Sequence, residues 1–474
     1  MKLEDLVGRI LEEVKAGKTV ILEAYPGFGK TRTAALLLSQ VNRGLVIVRT
    51  HNEIEEIFRF LPTTKGVIYA YGKPKLCFKF SNFSYKLCRS MIVLGRCRLD
   101  FNNKDIAWLA ATFRKPEEIR DREKKHNKCL YRALRMLAHK SKKVVATYDY
   151  VVSNPTVMDN REVIVFDEAH NIMNYVEEVV VEINSIFIDY LTKELKKNLE
   201  TRPLAYALRS IFRKSKNIAD FIDRLTSLLS QVNVDGELVN LLDKIVNAYY
   251  NKRYYVANGS YYFLTDTLPK IAKVEKKIFI GAFLPPIFFY SSKNRERIKI
   301  EGEPRIQAYI DTSVTTKYTE RDENLYKELG KKITEYIRDD SGNFIVFTSY
   351  EMMNNVLTYL PTAITRRIIS NDLREVPKGG ILVDVAGGKL SEGVNIRGLR
   401  NVIVVGMPYP EPTPTFNLLS KVFGFENIYT YTALLRTFQA IGRVRTDGTA
   451  YLLDKRFSKH TDSFPSWIRV VGNV

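Results

Sequence analysis

The stretch from Thr19 to Leu38 constrains this chain more than any other. Thr19-Val-Ile-Leu-Glu-Ala reads as a short buried strand, Tyr25-Pro-Gly-Phe-Gly-Lys-Thr31 as a glycine loop, and Arg32-Thr-Ala-Ala-Leu-Leu-Leu as the start of a helix. Strand, loop and helix in that order form the frame of a phosphate-binding loop. Backbone N–H groups around Gly27 and Gly29 can cradle phosphates at the helix N-terminus, where the dipole favours anions. Lys30 would reach the β and γ phosphates and the Thr31 hydroxyl would ligate Mg²⁺. Ala24 stands where the usual pattern has its first glycine.

A second motif completes such a site. Val163-Ile-Val-Phe is an apolar run ending in Asp167-Glu168-Ala169-His170. Two adjacent carboxylates at a strand end place Asp167 to hold Mg²⁺ through water and Glu168 to activate the attacking water as a general base. An apolar strand followed by two acids is common and also suits the first turn of a helix. Spelled Asp-Glu-Ala-His and set after a phosphate loop, it points to nucleotide hydrolysis.

Charge separates one region from the rest. The 474 residues carry a formal charge of +20, and 20 Lys/Arg against 6 Asp/Glu fall between Lys73 and Lys143. That window also holds Phe78, Phe80, Phe83, Tyr85, Phe101, Trp108, Phe113 and Tyr131. Cations interleaved with rings suit a single-strand track, where phosphates meet Lys/Arg and bases stack on aromatics; a solvated lysine-rich face is the plain alternative. All four cysteines of the chain, Cys77, Cys88, Cys97 and Cys129, lie in the same window. They form no C-x-x-C pair, which disfavours a zinc ribbon. Four separated thiolates suit an iron–sulfur cluster, while disulfides are the least expected in a reducing compartment. No apolar run approaches the ~18–20 residues of a membrane span. Met1-Lys-Leu-Glu-Asp-Leu has no secretory character, so an intracellular location is expected, cytoplasmic, or nucleoid-associated or nuclear.

With these motifs in place the chain resembles superfamily 2 helicases, and the cysteine window narrows the resemblance to the XPD/DinG type. The likeness runs through Arg49-Thr-His51, Gly72-Lys-Pro-Lys-Leu-Cys77, Thr147-Tyr-Asp-Tyr150 with Asn154-Pro155, and Gly281-Ala-Phe-Leu-Pro285. It continues in Thr315-Thr-Lys-Tyr-Thr319, Val383-Asp-Val-Ala-Gly-Gly-Lys-Leu-Ser-Glu-Gly393 and Gly406-Met-Pro-Tyr-Pro410. Gln439-Ala-Ile-Gly-Arg443 and Leu453-Asp-Lys-Arg-Phe457 complete it.

The resemblance implies an α/β fold of two RecA-like P-loop lobes with parallel sheets, a small iron–sulfur domain and a mainly helical arch-like insertion in the first lobe. Its boundaries would be 1–70, 144–175 and 271–305 for the first lobe, 71–143 for the cluster domain, 176–270 for the insertion and 306–474 for the second lobe. Apolar spacing agrees: Ile186, Phe187, Tyr190, Leu191 and Leu195 mark an amphipathic helix, and β runs recur at 344–347, 381–385, 402–405 and 450–453. The implied activity is an ATP-dependent DNA helicase moving 5′→3′ on single-stranded or forked DNA, with ATP, Mg²⁺ and a 4Fe–4S cluster on Cys77, Cys88, Cys97 and Cys129, working as a monomer. Gln439 would contact nucleotide, and Arg443 and Arg445 would neutralise charge on the γ-phosphate from the second lobe. Strand grip would come from Thr50 and His51 on one lobe and Ser349 and Ser391 on the other, each with a plain alternative as a turn or capping residue. DNA repair is the family-level expectation.

Three departures stand out. A glutamine-bearing adenine-reading segment has no counterpart in the residues before the loop. Arg445 sits one place before the family position, which holds Thr446, and Asn395 replaces an Asp. They leave open a DNA-binding, helicase-like paralogue with weak or no unwinding, acting in a regulatory or structural role. A small-molecule phosphoryl transferase fits the basic insert less well.

Overall fold

The computed structural model describes residues 2–79, 88, 97, 100–111, 114–175, 177–231, 237–257, 260–266, 277–285, 294–369, 375–388, 390, 396–444 and 447–473. The sites expected at Ser391 and Arg445 lie outside the described residues, as do Asn395, Thr446, Phe80, Phe83, Tyr85 and Phe113.

Short runs of Val, Ile and Leu bounded by helices build two all-parallel sheets. The first holds β1 (Thr19–Ala24), β2 (Gly44–Val48), β3 (Val67–Ala70), β4 (Lys143–Thr147), β5 (Val163–Phe166), β9 (Lys277–Gly281) and β10 (Arg295–Ile300), in the order β10-β1-β9-β5-β2-β4-β3. The second holds β11 (Ile306–Asp311), β12 (Gly342–Phe347), β13 (Ile381–Val385), β14 (Leu399–Val405), β15 (Gly448–Leu453) and β16 (Ile468–Asn473), in the order β13-β12-β14-β15-β11-β16. Strands such as β1, β2 and β12 are buried along their whole length, as parallel strands covered on both faces must be. Both sheets belong to one compact unit, residues 1–173, 270–408 and 433–474.

Within that unit, α1 (Leu3–Lys15) buries Leu6, Val7, Ile10 and Val14. α2 (Lys30–Gln40) follows the glycine loop, and α3 (His51–Phe60) buries Ile54, Ile57 and Phe58. β10 forms the edge of the first sheet beside β1. Its alternation of Arg295, Arg297 and Lys299 with Glu296, Ile298 and Ile300 is edge chemistry, with Ile298 alone buried.

The second unit, residues 174–269 and 409–432, contains helices Ser185–Leu195, Arg202–Lys214, Ile218–Leu229 and Glu237–Tyr250. Ile188, Leu191, Leu208, Phe221 and Leu225 share its core. It also holds an antiparallel sheet, ordered β6 (Glu177–Val181), β8 (Ser260–Asp266), β7 (Tyr254–Ala257). The tyrosine-rich run at 254–263 builds that hairpin, because aromatic rings pair across strands where a helix would crowd them. Helix Pro414–Phe423 groups with this unit, a membership that local sequence patterning does not reveal.

One buried carboxylate organises the second lobe. Asp454, directly after β15, is wholly buried and takes hydrogen bonds from the Thr316 amide (3.0 Å), the Thr316 hydroxyl (2.7 Å) and Arg456 Nη2 (2.6 Å). Gly406, at φ +91°, passes so close that a Cβ would meet Thr316 Oγ1 at 2.2 Å, so only glycine fits there. Burial alone would raise the Asp454 carboxyl, but the Arg456 and Thr316 hydrogen bonds outweigh it and hold it below the usual range. Asp454→Ala should therefore cost about 3–5 kcal/mol by stranding Arg456 and Thr316, read as a lowered urea midpoint. Because the folded value is depressed, this stabilisation is complete above the unfolded value of about 3.9 and fades as pH falls through the folded one.

Candidate active site

The two sheets face each other across a cleft of about 340 Å³. Pro26, Gly27, Gly29, Lys30 and Thr31 line it from the glycine loop, and Asp167, Glu168 and His170 from the end of β5. Gln439, Gly442 and Arg443 line it from the other lobe, at the end of helix α4 (Tyr431–Ile441). Every described residue assigned to nucleotide or Mg²⁺ by sequence thus borders one space.

Local backbone chemistry explains the arrangement. Gly27 and Gly29 take φ of +88° and +103°, the left-handed region that a Cβ disfavours. Ala24 needs no such freedom, since it is the buried last residue of β1. Gly29 caps α2, and Lys30 folds back so that Nζ donates to the Ala24 carbonyl at 3.3 Å. Asp167 is held by its own amide donating to Ile47 O (2.9 Å) and by the Tyr148 hydroxyl donating to its carbonyl (2.9 Å). Glu168 adopts φ +44°, an uncommon conformation for a residue with a side chain, stored beside the chemistry.

Electrostatics single out the acids and the imidazole. Burial, then the charges of Glu168 and Glu53, push the Asp167 carboxyl well above its ordinary range, against the opposing pull of Lys30. A carboxylate so placed is completed by a cation, which is the chemistry of a Mg²⁺ ligand. His170 is lowered to about 4 by burial, with Glu168 opposing. Its Nδ1 lies 3.4 Å from Glu168 Oε2 and its Nε2 3.1 Å from the Gln439 amide, so a neutral ring ties the two lobes. Phe283 and Phe438 meet edge to face at 5.0 Å across the same cleft.

Thr50 and Ser349 occupy helix N-caps. Thr50 accepts from the Glu53 amide at 3.3 Å in a full capping box, and Ser349 accepts from the Met352 amide at 3.2 Å. His51 packs its ring 4.9 Å from that of Tyr71.

The four cysteines gather around one small cavity, with Lys73 and Lys79 beside them. Cys77 ends the short turn Lys73–Leu76, and Cys129 precedes helix Leu130–Lys140. Glu123 accepts from the first amides of that helix, Leu130 (2.5 Å) and Tyr131 (3.3 Å). Asp105 binds Lys128 (3.1 Å) and Arg122 (3.3 Å), fixing the segments that carry these turns. Among the described residues no set of three or more His, Cys, Asp or Glu converges as for a single ion. Four thiols around a shared space with cations nearby instead fit the donor set of a cluster.

Comparison with known proteins agrees with this geometry. Residues 333–471 match the helicase C-terminal domain model, and residues 76–188 match the DEAD_2 model. The ATP-dependent DNA helicase XPD of Sulfolobus acidocaldarius is 25% identical over 96% of this chain and 95% of its own. This chain belongs to the XPD-like family of ATP-dependent DNA helicases. Within the family, the ATP-dependent DNA helicase chl-1 of Caenorhabditis elegans is 35% identical over 19% of this chain and 13% of its own. A solved XPD helicase aligns with a TM-score of 0.63 at 22% identity, covering 96% of each chain, and S. tokodaii Xpd4 with 0.52 at 17%, covering 99% of each; these two establish the fold.

Sequence reasoning missed several residues on the cleft wall, namely Arg32, Asn52, Glu56, Phe60 and Trp467, and gave Arg49 no role there. The detectable signal was the polar-to-aromatic spacing of 52, 56 and 60, opposite the buried stripe of α3. The imidazole supplies a test of the buried bridge: His170 should stay neutral in the folded, metal-free protein until pH falls to about 4. Its ¹⁵N imidazole shifts should then stay flat from pH 8 to about 5. Between the unfolded value of about 6.5 and the folded one, stability should fall as pH is lowered, since the unfolded chain binds the proton first.

Proposed function

We propose that this chain hydrolyses ATP between its lobes to move 5′→3′ along single-stranded DNA, opening forked duplexes with the help of its cysteine domain. One observation carries the reading: Lys30, Thr31, Asp167 and Glu168 from the first lobe and Gln439 and Arg443 from the second border a single cleft.

In this mechanism the glycine loop and α2 N-terminus hold the phosphates, and Lys30 swings from the Ala24 carbonyl to the β and γ oxygens. Thr31 and Asp167 would hold Mg²⁺, which supplies charge neutralisation when bound. Glu168 takes the proton of the attacking water, and Arg443 faces the charge that develops as the γ-phosphoryl group departs. Arg445 is assigned the same task from sequence. ATP thereby joins the lobes, and its loss releases them. Alternating grip through Thr50 and His51 on one lobe and Ser349 and Ser391 on the other turns that cycle into steps. A 4Fe–4S cluster on Cys77, Cys88, Cys97 and Cys129 would supply a rigid cross-link among otherwise separate turns, within a domain whose cations and rings suit a displaced strand. Family membership supports the DNA substrate, and repair is the role we assign it.

Strand displacement on forked DNA tests motor, substrate and direction together. Unwinding should need ATP and a 5′ tail, and Lys30→Ala should lower single-strand-stimulated ATPase by at least about a hundredfold. Equal turnover in the two proteins would instead leave a DNA-binding paralogue without a motor. Anaerobically purified protein should be brown with about four irons per chain, and Cys88→Ser should lose colour and unwinding while retaining most ATPase.

A further inference from the structure

We propose that Tyr25, the first residue of the glycine loop, is a positioning residue for hydrolysis: the chain crossing between the lobes bears on its ring, and that contact sets where Arg443 stands over the loop. The proposal rests on reading the cleft as an ATP site completed from the second lobe.

β10 ends the first sheet at Ile300 and β11 opens the second at Ile306, so residues 301–305 make the direct crossing. They form neither helix nor strand. The far end of the crossing is sewn into the second sheet. The Arg305 carbonyl accepts from the Gly448 amide at 3.0 Å, and the Arg305 amide donates to the Trp467 carbonyl at 3.1 Å.

The same short segment lies against Tyr25. Gly302 passes so close that a Cβ there would meet Tyr25 Cγ and Cδ1 at 2.8 Å and Tyr25 Cβ at 3.2 Å. The Cβ atom does not move with the rotamer, so the contact fixes the loop backbone as well as the ring. Arg305, held by its backbone in the second sheet, turns its guanidinium over that ring, 5.0 Å from the centroid, where the negative π-face attracts a cation. One ring therefore meets the crossing at two of its residues.

Tyr25 also closes the turn that would hold the phosphates. Its carbonyl accepts from the Phe28 amide at 3.2 Å and from Lys30 Nζ at 3.5 Å. The next residue, Pro26, touches the second lobe at a separate point: a Cβ on Gly442 would lie 3.2 Å from Pro26 Cγ, and Gly442 directly precedes Arg443. Two points of contact fix an angle as well as a distance. Holding the phosphates needs only the loop, whereas neutralising the charge that develops on the γ-phosphoryl group needs Arg443 at one setting. Losing the ring should therefore slow turnover and spare nucleotide affinity.

The test uses the full chain, with ATP as substrate, a single-stranded DNA oligomer as activator and a non-hydrolysable ATP analogue for equilibrium binding. Tyr25→Ala should lower kcat about tenfold while affinity for the analogue stays within about twofold. Tyr25→Phe should restore kcat, because the ring and not the hydroxyl meets Gly302 and Arg305. Arg305→Ala should lower kcat about threefold and add little further loss in the Tyr25→Ala background, since the two share one contact. Arg305 is exposed, so that variant carries the test if Tyr25→Ala melts below the assay temperature. Parental kcat in the variants, a loss of affinity equal to the loss of kcat, no rescue by Tyr25→Phe, or additive losses each overturn the positioning role while the parent's own turnover leaves the ATP site standing. A parent that does not hydrolyse ATP overturns both.

Discussion

A buried carboxylate held beside a half-exposed one governs the rest of this structure. Asp167 is 2% exposed, and Glu168 and Glu53 both raise its carboxyl further. Such a group stays charged only if positive charge is brought to it. Lys30 supplies part of that from the glycine loop, and a bound cation with its phosphates supplies the remainder. The parallel sheet makes this possible, because β1 and β5 both end at the same edge and deliver loop and acids together. The left-handed backbone at Glu168 is the local cost of turning the second carboxylate into the cleft.

The second lobe meets a different requirement, which is to hold α4 firmly enough that Gln439 and Arg443 keep their aim. Three sequence strings far apart in the chain meet at Asp454. Thr316 binds it directly, the Met407 amide approaches it at 3.4 Å, and Gly406 leaves room for the Thr316 side chain. The strands β11, β14 and β15 that carry these groups are adjacent in the sheet. A buried charge with full hydrogen bonding tolerates little displacement, so the crossing from β14 into the segment before α4 starts from a fixed point.

Much of this was legible in the sequence because the chemistry is local. Glycines at 27 and 29 and the acids at 167 and 168 declare themselves by spacing alone, and short apolar runs located β1 and β5 of the first lobe and four strands of the second. What escaped depends on neighbours. β10 and β16 are edge strands, β10 with Arg295, Arg297 and Lys299 alternating along it and β16 with Arg469, Gly472 and Asn473 interrupting its apolar run. The tyrosines at 254–263 were hidden within a region whose helices dominate its period. Helix Pro414–Phe423 joined the insertion's unit through tertiary packing that no local pattern records. Trp467 reaches the cleft only because separate elements bring it there, and nothing in its own flanks marks it.

The fate of Thr50 and Ser349 shows why a capping role and a strand-contact role need not compete. A cap uses the lone pair of the hydroxyl oxygen, which accepts from the amide of Glu53 or Met352. The hydroxyl proton is left over, and its natural acceptor is a phosphate oxygen outside the helix. The capping box also holds the turn that carries this hydroxyl, since Glu53 Oε2 takes the amides of both Arg49 (2.8 Å) and Thr50 (3.1 Å). Glu53 itself lines the nucleotide cleft. One carboxylate therefore holds the turn that would meet the polynucleotide on one side and borders the space for ATP on the other. Because Thr50 is the N-cap of α3, any movement of α3 carries Thr50 with it.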